Sequence, residues 1–129
     1  MQRDKTFGKH YVVDYFDCDP EILKYVAPIR EILLRAARES GATLLGDHFH
    51  QFEPFGTSGV ILIAESHFAV HTWPENAYAG LDIFTCGASM DAQAGIEIVG
   101  REVRAGEVQV KILHRGLLDR DPHESPRRG

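Results

Sequence analysis

Three apolar runs between Gly59 and Gly87 each lead to a reactive side chain; the stretch reads GVILIAESHFAVHTWPENAYAGLDIFTCG. Val60 to Ala64 delivers Glu65-Ser66-His67, the next run ends at His71, and Leu81 to Thr85 ends at Cys86. A hydroxyl, an imidazole and a thiol held at strand ends or junctions suit acyl and proton transfer. The G-x-S-x-G elbow is absent around Ser66, which removes an ordinary serine hydrolase. Two readings of Ser66 remain. It is a strand-end serine bonded to backbone, or it attacks its own chain. In the second, the hydroxyl adds to the carbonyl of Glu65 and an N-to-O acyl shift makes an ester. Loss of the α-proton expels Glu65 as a carboxylate. The dehydroalanine left behind tautomerises, loses ammonia and becomes a pyruvoyl group. Such a route needs a base and an oxyanion donor close to Ser66.

The neighbouring residues carry the same double reading. His71 is a structural core histidine or the group that moves protons near neutral pH. Cys86 is an inert strand-end thiol or, beside an imidazole, a competent acid or base. Ser58, in Gly56-Thr57-Ser58-Gly59, is a turn residue on local grounds, although flanking glycines let its backbone approach a reacting centre. His67 reads as structural. His48 and His50 have an HxH spacing without a third ligand at any matching interval, so no metal site is expected. Phe52, Phe55, Phe68 and Trp73 are core aromatics or platforms for a planar ligand. Glu75, in the turn after Trp73-Pro74, is solvated or accepts hydrogen bonds from a sugar or an amine.

Positioning these groups falls to a short series of elements. Tyr11 to Phe16 reads as a strand. Asp19-Pro20 starts a helix, the aspartate capping free amides and the proline suiting the first turn. Ile22, Leu23, Val26, Ile29, Ile32, Leu33, Ala36 and Ala37 recur at helical spacing up to Gly41. Thr43 to Phe52 alternates weakly as a strand, and Glu53 to Gly59 reads as a loop around Pro54 and Gly56. Val60 to Ala64 is a buried strand that continues as Phe68 to Val70 beyond the polar triplet. Trp73 to Asn76 is a turn and Ala79 to Thr85 a strand. Asp91 caps a second helix with Ala92, Ile96, Val99 and Val103 on one face; Gly95 and Gly100 weaken it by about 1 kcal/mol each. Val108 to Leu113 is the last strand. The order β-α-β-β-β-α-β, with too few helices to cover two faces, predicts an α+β two-layer sandwich with helices on one face of an antiparallel sheet.

The 129 residues suit a single domain over 1–118, with the Pro-, Gly- and Arg-containing residues 119–129 as a flexible tail. A net charge of −5, from 14 basic and 19 acidic residues, disfavours nucleic acid or an anionic membrane as partner. No signal-peptide pattern or membrane-length apolar run is present, and Cys18 and Cys86 lack paired metal spacing, so a reducing, cytoplasmic setting is expected.

Taken together, Phe49-His50-x-Phe52-x-Pro54, Gly56-x-Ser58-Gly59-Val60, Glu65-Ser66-His67, His71-x-x-Pro74-Glu75 and Asp82-x-x-Thr85-Cys86-Gly87 resemble the short prokaryotic S-adenosylmethionine decarboxylases. Gly8-Lys9-His10, Cys18-Asp19 and Ser40-Gly41-Ala42 extend the resemblance loosely over most of the chain. It implies a proenzyme that cuts itself between Glu65 and Ser66, giving a β chain 1–65 and an α chain from 66. Ser66 becomes the pyruvoyl group, the only cofactor, and the substrate amine forms a Schiff base with it. His71 and Ser58 would assist processing, and Cys86 would reprotonate the α-carbon after carbon dioxide leaves. The product is the aminopropyl donor of spermidine biosynthesis. Protomers pair as a homodimer with sites at the interface. Phe52 and Glu75 would come from the neighbouring protomer, the ring against adenine and the carboxylate on the ribose hydroxyls, with Phe68 also against the adenine.

Thr57 stands where the family usually has valine, Ala77 where it often has glycine, and Glu53 where a neutral residue is more usual. Glu53 would also suit a substrate with a second cation, which leaves a pyruvoyl-dependent ornithine or arginine decarboxylase as an alternative. An unprocessed, non-catalytic ligand-binding homologue is the other.

Overall fold

A computed structural model describes residues 6–64, 66–86 and 90–117. Glu65, Gly87 and the expected tail 119–129 lie outside the described residues. The elements are β1 (Thr6–Phe16), α1 (Pro20–Leu23), α2 (Val26–Glu39), β2 (Leu44–Gln51), β3 (Thr57–Ile63), β4 (Ser66–Trp73), a 3-10 turn (Pro74–Asn76), β5 (Tyr78–Thr85), α3 (Ala92–Glu102) and β6 (Glu107–Leu117). The strands form one six-stranded sheet in the order β2-β3-β4-β5-β1-β6. Every neighbouring pair is antiparallel. The chain is therefore α+β with an antiparallel sheet.

Alternation decides which face is buried. Along β5, Ala79, Leu81, Ile83 and Thr85 are buried while the residues between them are not. The buried set joins Val13, Tyr15, Ile61, Ile63, Phe68 and Val70 from neighbouring strands with Ile29, Leu33, Ala36, Ala37, Ile96 and Val99 from α2 and α3. The Tyr15 hydroxyl crosses this core and donates to the carbonyl of Ile96 at 2.7 Å. Gly95 has a packing reason that offsets its weak helix propensity. A Cβ there would sit 2.5 Å from Ser40 Oγ and 3.3 Å from the Phe68 ring, so only glycine lets α3 come this close.

Three expectations are corrected. Val60 to Val70 is not one interrupted strand: the chain reverses between Ile63 and Ser66, which pair directly, and β3 and β4 run antiparallel. The hairpin lacks an Asn-Gly or Asp-Gly turn, the local signal that would have revealed it. The helix from Pro20 breaks at Tyr25, whose φ of −125° and ψ of 154° are extended. Pro28 is the cause, since its ring cannot follow the carbonyl of Lys24 in a continuous helix. The loop before β3 is also shorter than expected. Ser58 lies on β3 rather than in a turn.

The opposite face of the sheet carries half-exposed His10, Asp14, Ser58 and Asp82, and the exposed side chains of Val60, Leu62, His71 and Trp73. Among the described residues no helix is long and apolar enough to cross a membrane.

Candidate active site

Ser58 and His71 lie opposite each other on β3 and β4. Strand register brings together two residues thirteen positions apart, and Ser58 Oγ and His71 Nδ1 share a hydrogen bond of 2.7 Å. Both belong to the open face. They line a cavity of about 480 Å³ together with Phe52, Glu53, Phe55, Trp73 and Glu75. That volume suits a small-molecule ligand. The Phe52 ring is 47% exposed and sits edge-on to His50, the centroids 4.7 Å apart. Trp73 lies between His71 and Tyr78, with centroid distances of 6.2 and 5.4 Å. Tyr78 donates to Asp14, and burial first, then that bond, pushes its phenol up to about 12. It therefore stays a donor at neutral pH. Gly59 gives its space to the ring of Phe49, which crosses it from β2.

Ser66 and Cys86 belong to another part of the sheet. Ser66 opens β4 and pairs with Thr85, so Cys86 follows one residue beyond the partner of Ser66. The register brings hydroxyl and thiol to the same sheet end. Ser66 Oγ is 3.4 Å from His67 Nδ1, a long contact for a hydroxyl hydrogen bond. His71 is five residues further along the same strand. That separation spans about 17 Å, and an odd separation puts the two side chains on opposite faces. Ser66 shares the parity of buried Phe68 and Val70, whereas His71 shares that of Trp73. The residues expected to act together thus form two groups within one chain: Ser58, His71, Phe52 and Glu75 in the cavity, Ser66 and Cys86 at the sheet end.

Phe68 joins neither group. Its ring is fully buried on the helix side and packs against α3 at Gly95. Gln51 was not singled out from the sequence, yet its amide ties the cavity loop to the helices. Its Oε1 accepts from Val26 N at 2.9 Å, and its Nε2 donates to the carbonyls of Lys24, Phe52 and Gly56. A lone glutamine at a strand end carries no local sequence signal. Thr72 makes a parallel link, accepting from Thr57 N and donating to Leu23 O. Among the described residues no group of three or more His, Cys, Asp or Glu side chains is arranged to hold a metal ion.

Comparison with known proteins agrees with the motif pattern. The sequence profile of the S-adenosylmethionine decarboxylase family matches residues 9–116. An S-adenosylmethionine decarboxylase proenzyme of Thermotoga maritima is 42% identical over 124 residues, covering 95% of both chains. One of Pyrococcus furiosus is 41% identical over 116 residues, 90% of this chain and 84% of that one. The crystal structure of the adenosylmethionine decarboxylase from Aquifex aeolicus superposes with a TM-score of 0.82 at 31% identity, covering 96% of this chain and all of the other. The chain belongs to the S-adenosylmethionine decarboxylase family.

Proposed function

We propose that this chain cleaves itself before Ser66 and then, as a pair of copies, decarboxylates S-adenosylmethionine. The observation that carries the reading is the cavity itself. It gathers a hydrogen-bonded serine–histidine pair, an exposed aromatic ring and a carboxylate, in a chain of this family. Processing begins as Ser66 Oγ bonds to the carbonyl carbon of Glu65. The C–N bond breaks, and the hydroxyl proton passes to the released nitrogen. A base takes the α-proton of Ser66, and the C–O bond breaks to free the Glu65 carboxylate. Tautomerisation and addition of water then expel ammonia. His71 is the proton acceptor and Ser58 the donor to the developing oxyanion.

Within one chain His71 cannot reach Ser66, as they stand about 17 Å apart on opposite faces. A second copy resolves this. The open face carries the exposed apolar side chains Val60, Leu62 and Trp73, and Phe52 stands beside it at the cavity. Two such faces packed about a two-fold axis bury those groups, and the partner's His71, Ser58, Phe52 and Glu75 would then meet Ser66 at the sheet end where β4 begins, around the strand terminus rather than across the face. A homodimer is therefore the proposed working unit, with neither nucleic acid nor membrane as partner.

In the processed enzyme, a pyruvoyl group at position 66 supplies an electron sink for decarboxylation. The residues present fit it: Ser66 is half-exposed at a strand start, with Cys86 one residue past its cross-strand partner. Phe52 stacks on the adenine, and Glu75 accepts hydrogen bonds from the two ribose hydroxyls. Cys86 returns a proton to the substrate α-carbon. The product is an aminopropyl donor for spermidine synthesis. A reducing cytoplasm is the proposed setting, where the Cys86 thiol stays reduced.

One observation favours a second substrate reading. Glu53 lines the same cavity as Glu75, and two carboxylates suit a substrate with a second cationic group, such as ornithine or arginine. Release of labelled carbon dioxide separates the two. The proposal expects release from carboxyl-labelled S-adenosylmethionine; release only from ornithine or arginine overturns the substrate. No release, with a chain that stays intact, supports a non-catalytic homologue.

A further inference from the structure

We propose that Gln51 is a positioning residue for substrate binding, acting through the loop that carries Phe52. The inference rests on the reading of the cavity as the substrate site. It begins at Pro28. In an unbroken helix the carbonyl of Lys24 would accept from the N–H of residue 28, and proline has none. The carbonyl is freed and turns to the cavity loop. Gly56 N donates to it at 2.8 Å and Gln51 Nε2 at 2.9 Å. Its two lone pairs are thus used.

The rest of the Gln51 amide closes the anchor. Oε1 accepts from Val26 N, an N–H of the first turn of α2 with no partner inside the helix. The second hydrogen of Nε2 is shared between Gly56 O at 3.0 Å and Phe52 O at 3.1 Å. Phe52 N donates to Gly56 O at 2.8 Å, so the loop between them is closed. Three carbonyls surround Nε2 and one N–H faces Oε1, which leaves a single sensible amide orientation. Lys24 adds a second hold, its Nζ 5.1 Å above the Phe55 ring. The loop thus has little freedom of its own. Phe52 leaves it with a fixed backbone and an exposed ring, the geometry a stacking platform needs.

Gln51 touches neither Ser58 nor His71 by any of these bonds, so losing it should weaken binding and spare chemistry. The test uses the full, processed protein with Gln51→Leu, Gln51→Glu, Phe52→Ala and the double variant Gln51→Leu/Phe52→Ala. Substrate kinetics are paired with amide hydrogen exchange at Phe52 and Gly56. Gln51→Leu is expected to raise KM about tenfold, with kcat within about twofold, as the loss of one to two net hydrogen bonds implies. Exchange at Gly56 should quicken. Gln51→Glu keeps the shape and the acceptor for Val26 but lacks donors, and should behave like Gln51→Leu. In the Phe52→Ala background, Gln51→Leu should add little to KM. Unchanged exchange and KM in Gln51→Leu overturn the proposal. So does rescue by Gln51→Glu, which would make shape the cause, or a fall in kcat and melting temperature at constant KM, which would make the role structural. Unchanged KM in Phe52→Ala instead overturns the reading of the cavity, and exchange at Gly56 still decides whether the anchor exists.

Discussion

Separation of Ser66 from His71 makes a prediction about mixed dimers. Five residues of β4 put the two side chains about 17 Å apart and on opposite faces, several times the reach of a proton transfer. On the proposed mechanism, His71 would then serve the Ser66 of another copy. Coexpress a His71→Ala chain, which keeps the nucleophile, with a Ser66→Ala chain, which keeps the base. Each alone should remain intact. Random pairing gives each His71→Ala chain roughly an even chance of a Ser66→Ala partner, whose His71 completes the site. About half of the His71→Ala chains should therefore be cut, and none of the Ser66→Ala chains. With different affinity tags the fragments are counted on a denaturing gel or by mass. Slow cleavage of His71→Ala alone would set the baseline, since loss of a general base typically costs 10²–10⁴-fold in rate rather than all of it. Failure of the mixture to exceed that baseline, when tagged pull-down shows that mixed dimers form, would refute action in trans. The two groups of site residues would then need to meet by a rearrangement inside one chain.

Other outcomes follow from single residues. Cys86→Ala should process normally and turn over at least tenfold more slowly, because cleavage and reprotonation are separate steps; full turnover moves the acid role elsewhere. Among the described residues the buried hydroxyl of Thr57 has no hydrogen-bond partner, so Thr57→Val, close to isosteric, should stabilise by about 1–2 kcal/mol and raise the melting temperature by roughly 4–8 °C. A lower melting temperature would mean that the hydroxyl is satisfied in the assembled protein. Burial pushes the Cys18 thiol up to about 11 while Cys86 is exposed, so iodoacetamide at pH 8.5 should label Cys86 in native protein and Cys18 only after denaturation. Equal labelling of both would contradict the packing around Cys18.

Much of the frame was readable because alternation and helical periodicity are local. Ala79 to Thr85 announces a half-buried strand by its pattern alone, and Asp91 with Ala92, Ile96 and Val99 announces α3. The breaks were harder. Apolar residues run through Val26 and Ile29 at helical spacing, so Pro28 was masked by a periodicity that two separate helices share. The reversal between Ile63 and Ser66 has no turn glycine, and apolar residues flank it on both sides, so one long strand fitted equally well. Site residues were legible as types, not as partners. Ser58 looked like a turn residue because glycines flank it, and only the β3–β4 register puts it against His71. Phe68 could be read either way, since an aromatic residue on a strand buries itself or stacks on a ligand according to which face it takes. Gln51 could not be read at all, because its importance lies in backbone groups that the α1–α2 bend exposes.

The most direct measurement is the intact mass of the purified protein under denaturing conditions. The account predicts two fragments divided between Glu65 and Ser66, the second beginning with a pyruvoyl group in place of an amine. A single full-length mass that persists on long incubation would contradict it.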